Sequence, residues 1–93
     1  MVTLTLRCRL ELPGVGSLKE KRRLLKSLIT RLRNNFNVSV AEVDDNDVLR
    51  TATLGVAIAA NSSSFAHQVI NRVMDRINTE PEIVVAEFLS ESY

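Results

Sequence analysis

Residues 2–36 read VTLTLRCRLELPGVGSLKEKRRLLKSLITRLRNNF, and the spacing of apolar residues changes once along them. Up to Leu12 they fall on every second position, with Val2, Leu4, Leu6, Cys8, Leu10 and Leu12 separated by Thr3, Thr5, Arg7, Arg9 and Glu11. Successive side chains of an extended chain point to opposite faces, so this alternation predicts a strand with one face on a core. Pro13 and Gly14 end it. Beyond Gly16 the spacing becomes three and four, and Leu18, Leu24, Leu25, Leu28, Ile29, Leu32 and Phe36 gather on one side of a helix. Ser17, three residues before Glu20, has the spacing of a capping box for free amides at a helix start. Asn34, Asn35 and Asn37 mark the exit.

Working outward, NVSVAEV (37–43) reads as a second strand whose parity breaks between Val40 and Val43, which predicts a bulge near Ala41 and Glu42. DDND (44–47) supplies a hairpin turn, and a third strand is expected from Val48 to Ala60. Ala52, Leu54, Val56 and Ile58 share one face of that strand. Asn61 and Ser62–Ser64 offer caps for a second helix with a stripe of Ala66, Val69, Ile70, Val73, Met74 and Ile77. After Pro81, IVVAEFL (83–89) reads as a last strand.

The order β-α-β-β-α-β in one short domain, residues 1–93, predicts an α+β ferredoxin-like sandwich: a four-stranded antiparallel sheet with two helices on one face. The first and third strands are then central and the second and fourth are edges. The open face is expected to carry Thr3, Thr5, Arg7, Arg9, Thr51, Thr53, Gly55, Ala57 and Ala59.

With 93 residues, 45% of them apolar, the chain can bury a single modest core. Its one cysteine, Cys8, excludes an internal disulfide, and no apolar run approaches the roughly 18 residues of a membrane span. A cytoplasmic protein with no membrane partner is expected. The formal net charge of +1 conceals a sharp asymmetry. Residues 17–33 hold seven basic residues and one acid, a local +6, while the other five basic and ten acidic residues give −5. Such local fields steer charged partners more than net charge does.

On the helical wheel Lys19, Arg22, Arg23, Lys26 and Arg33 gather on the wet side, whereas Lys21 falls inside the apolar arc and must reach outward along its stem or meet a partner. Cations on one face release counterions when they neutralise phosphates, so these residues, with Lys21 at their edge, are the candidate nucleic-acid site. Sheets that read single-stranded bases present aromatic side chains, and the third strand has none. Backbone contacts from the helix are therefore expected, with Arg7, Arg9 and Arg50 as secondary candidates. Glu42, Asp44, Asp45 and Asp47 form an acidic cluster, but no glycine or distal glutamate completes a calcium loop. His67 has no nucleophile at a motif spacing. No catalytic residue, cofactor or metal is expected.

The run GSLKEKRRLLKSLITRLRNNFNVSVAEVDDND, followed by ATLGVAIAAN, resembles the YlxP-like family of small bacterial proteins, a domain of unknown function, over nearly the whole chain. SLKEKR and FNVSVAEV are its most specific pieces. The resemblance implies a ferredoxin-like fold and a gene often found beside those of translation initiation factor two and ribosome-binding factor A; it brings no catalytic residues. The small acylphosphatases share this strand order and place a glycine loop where PGVGS stands, but follow it with Phe and Arg where this chain has Leu18 and Lys19. The sequence thus favours a non-enzymatic RNA- or ribosome-associated accessory protein. The alternatives are a homo-oligomeric interaction module using the open sheet face or an edge strand, and an acylphosphatase-like hydrolase.

Overall fold

A computed structural model describes residues 1–93 and contains six elements: β1 (Val2–Glu11), α1 (Leu18–Asn35), β2 (Ser39–Asp44), β3 (Thr51–Ala60), α2 (Ser63–Asn78) and β4 (Val84–Ser92). The strands form one antiparallel sheet in the order β2-β3-β1-β4, so β1 and β3 are central as expected. β1 and β3 pair without a shift from Val2 opposite Ala60 to Glu11 opposite Thr51. The alternating residues of β1 decide which face is covered. Leu4, Leu6, Cys8, Leu10 and Leu12 are all fully buried, together with Ala52, Leu54, Val56 and Ile58 of β3.

Leu25, Leu28 and Leu32 of α1 and Ala66, Ile70, Val73 and Ile77 of α2 close this core from one side. Each of the buried Leu, Ile and Val side chains contributes about 1.5–3 kcal/mol relative to an exposed one. Both helix starts are capped by a serine hydroxyl, that of Ser17 accepting from the Glu20 amide and that of Ser62 from the Phe65 amide. Neither helix is long and apolar enough to cross a membrane.

β2, β3 and β4 each differ in detail from the sequence reading, β2 itself running over Ser39–Asp44 rather than 37–43. The β2 bulge falls at Val43, between the pairs Glu42–Leu54 and Asp44–Thr53, one residue beyond its expected place. β3 starts at Thr51 rather than Val48, because residues 45–50 curl around the Lys21 side chain instead of extending. β4 runs on to Ser92, three residues past Leu89. It has its own irregularity at Ala86, where the register against β1 shifts between Arg9 and Leu10.

Candidate nucleic-acid interface

α1 packs over the β2 side of the sheet and brings its wet face to the protein surface. Lys19, Arg22, Arg23 and Lys26 recur at intervals of three and four, the spacing that aligns residues along one helix face. All four are exposed, and none has a side-chain hydrogen bond or an ion pair. From Lys19 to Lys26 the stripe covers about 10 Å at 1.5 Å per residue. A groove of about 380 Å³ runs beside two of the four, with Arg22, Lys26, Thr30 and Arg33 on one wall, Val40, Ala41 and Glu42 on the other, and Leu25 and Ile29 between them.

The two remaining candidates serve the fold. Lys21 is 1% exposed. Its ammonium donates to the carbonyl oxygens of Asp45 and Val48, each at 2.6 Å, and more distantly to that of Asn46 at 3.4 Å. Glu42 Oε2 lies 3.1 Å away, outside hydrogen-bonding direction, as a compensating charge. Lys21 therefore leaves the candidate interface: an ammonium enclosed by carbonyls at the helix-sheet junction cannot reach a phosphate in solvent. Arg33 stays at the surface, but its guanidinium donates to the Val40 carbonyl and ties the end of α1 to β2.

The secondary candidates divide in the same way. Arg7 pairs with Asp44 and Arg9 with Glu87, each at 3.0 Å, so both cations on the open sheet face are neutralised. Arg50 stays exposed and unpaired at the end of the β2–β3 connection. The open face is also less bare than its small residues suggest. Thr53 is buried and donates to Asp45 Oδ2 at 2.7 Å, and Val43 leans over Gly55 so closely that a Cβ there would lie 2.8 Å from Val43 Cγ1.

The acidic cluster is dispersed. Glu42 turns to Lys21, Asp44 to Arg7 and Asp45 to Thr53, so these oxygens do not converge. In the PGVGS loop the Gly16 amide donates to Glu20 Oε2 at 2.9 Å. The chain's own carboxylate thus occupies the place where a phosphate would meet the positive end of α1. The largest groove, about 710 Å³, lies between this loop, α1 and residues 80–82, and sets Glu20, Glu80 and Glu82 against Arg23 and Arg31. Arg31 is spent on Glu80 at 3.1 Å, so the groove offers an anion little. His67 is exposed, with Nδ1 2.8 Å from the Ser63 carbonyl. Burial pushes the Cys8 thiol up to about 11, which leaves it protonated and inert at neutral pH.

The sequence pattern could locate the stripe but not the tethers, because Lys21 and Arg33 act on backbone 7 to 27 residues away. The one available signal was the placement of Lys21 within the apolar arc.

Comparison with known proteins agrees with this architecture. The solution structure of a de novo designed protein with a ferredoxin fold superposes with a TM-score of 0.61 at 13% identity, covering 98% of this chain and 86% of that one. A dimeric ferredoxin-like protein from an uncultured marine organism matches more loosely, with a TM-score of 0.47 at 8% identity, covering 100% of this chain and 94% of the other. The uncharacterized protein YlxP of Bacillus subtilis (strain 168) is 37% identical over 76 residues, spanning 82% of this chain and 83% of that protein. The family model described as a protein of unknown function, DUF503, matches residues 3–89, and the chain belongs to that family.

Proposed function

We propose that this protein is a non-enzymatic accessory factor that binds RNA, on the ribosome or an assembly intermediate, through the exposed face of α1. The observation that carries this reading is the stripe Lys19, Arg22, Arg23 and Lys26, four cations without an internal partner, while Arg7, Arg9, Lys21 and Arg31 are each matched to a carboxylate. Leaving like charges side by side on a helix is unfavourable by a few tenths of a kcal/mol per pair, and an anionic partner relieves it. The ribosomal form of the reading draws on the resemblance and its translation-linked gene neighbours.

With no aromatic residue on the stripe, the contacts are to phosphates, and sequence selectivity is low. Four phosphate contacts give a slope of about −3 to −4 for the logarithm of affinity against the logarithm of salt. Filter binding with a structured RNA at several salt concentrations tests this. Arg22→Ala, Arg23→Ala and Lys26→Ala together should reduce the slope to about −1 and weaken all RNA sequences alike. Unchanged affinity and slope in the folded triple variant would refute the reading.

A further inference from the structure

An open sheet has two edges, and here they differ in kind. β2 is blunted: Arg33 takes the Val40 carbonyl and the bulge at Val43 bends the strand. β4 carries no such protection over its last six residues, 87–92, which pair regularly with β1.

The hydrogen-bond parity of β4 identifies its free groups. Thr3 and Tyr93 exchange both backbone bonds, 3.1 Å from the Thr3 amide and 2.7 Å from the Tyr93 amide. Antiparallel ladders alternate bonded and non-bonded pairs, so Glu91, Leu89 and Glu87 also turn their backbone groups toward β1. Phe88, Ser90 and Ser92 then turn theirs away from the sheet. Among the polar side chains of this edge, each face carries one exposed large apolar residue. Phe88, opposite Cys8 on the helix side, is 65% exposed, and Leu89, opposite Arg7 on the open side, is 57% exposed. No Lys, Arg or Pro lies between Val84 and Tyr93 to discourage strand addition.

We propose that this edge joins two copies of the chain, β4 pairing antiparallel with β4 about a two-fold axis at Ser90, into a continuous eight-stranded sheet. That axis sets Phe88 opposite Ser92 and Ser90 opposite its own copy, so the outward-turned residues meet as hydrogen-bonded pairs. It sets Glu87 opposite Tyr93 and Leu89 opposite Glu91, so the strand's carboxylates never face each other. An axis at Leu89 offers the same outward backbone groups, pairing Phe88 with Ser90, but sets Glu87 against Glu91. An axis at Phe88 would run the ladder into the irregularity at Ala86. The segment is its own complement in the Ser90 register, and this favours a second copy over an unrelated strand. The surface lies on the opposite edge of the sheet from α1's stripe, so the inference stands apart from RNA binding.

Light scattering and cysteine crosslinking on the purified chain test it. In the high micromolar range the mass should be twice the 10.4 kDa of one chain. Bonded pairs in an antiparallel ladder have Cα atoms about 5.5 Å apart, within disulfide reach, so Ser90→Cys should form a covalent dimer on copper-catalysed oxidation, with Cys8 buried and silent. Leu89→Cys should crosslink far less, because its two copies sit on a diagonal about 7–8 Å apart. Ser90→Pro removes an outward amide that β1 does not use, and should yield a folded monomer. A monomeric wild type, a dimer indifferent to Ser90→Pro, or crosslinking through Leu89→Cys as efficient as through Ser90→Cys would each overturn the proposal.

Discussion

Lys21 shows how a single residue changes its role between sequence and structure. Counted by charge it belongs to the basic run, and counted by wheel position it belongs to the core. The structure favours the wheel, because the stem lies buried and the ammonium finds main-chain carbonyls where a neighbouring chain or solvent was the alternative. Its removal strands those carbonyls and the Glu42 carboxylate together. Breaking a buried charge arrangement from one side costs roughly 3–5 kcal/mol. Lys21→Met, which keeps the stem's volume, should therefore lower the melting temperature by on the order of 20 °C in calorimetry. Where the variant remains folded, its RNA salt slope should equal that of the wild type, which separates Lys21 from the stripe.

At the scale of elements, the strands and helices were legible wherever one period dominated. The alternation in β1, the Ser17–Glu20 capping pair and the α2 stripe each specify an element locally, and each is present. The parity break in β2 also signalled a bulge, displaced by one residue. What stayed hidden depends on partners from elsewhere in the chain: the curl of residues 45–50 around Lys21, the roof of Val43 over Gly55, and the irregularity at Ala86. The bulge gives a direct test of this coupling. Gly55→Ala alone pushes a methyl group into Val43 Cγ1 and should destabilise by about 1 kcal/mol, the lower end of overpacking costs. Val43→Ala removes the obstacle, and the half-exposed Val43 side chain has little burial to lose. In urea unfolding the double variant should be more stable than Gly55→Ala alone, with a coupling of at least about 0.5 kcal/mol. Simple additivity would show that the bulge yields freely and that Gly55 is not fixed by contact.

For the whole molecule, the uneven charge visible in the sequence becomes a contrast between two sheet edges. α1 lies toward β2 and carries unpaired cations; β4, at the other edge, carries exposed apolar residues and no basic ones. The proposed two-fold axis, normal to the sheet at Ser90, would keep both copies' helices on the same side. It would send the two α1 stripes to the outer ends of eight strands. With strands about 4.8 Å apart, the two β2 edges lie roughly 34 Å from each other. A single RNA long enough to touch both stripes would then bind in two linked events, the second at the high effective concentration set by the first. A short stem that reaches only one stripe gains nothing from the second copy. Wild type and Ser90→Pro should therefore bind a short stem with equal affinity, while a long structured RNA should prefer the wild type by tenfold or more, on the order expected for linked sites. Titrations of both RNAs against both proteins at one salt concentration check this, and equal affinity for the long RNA would show that the two stripes do not act together.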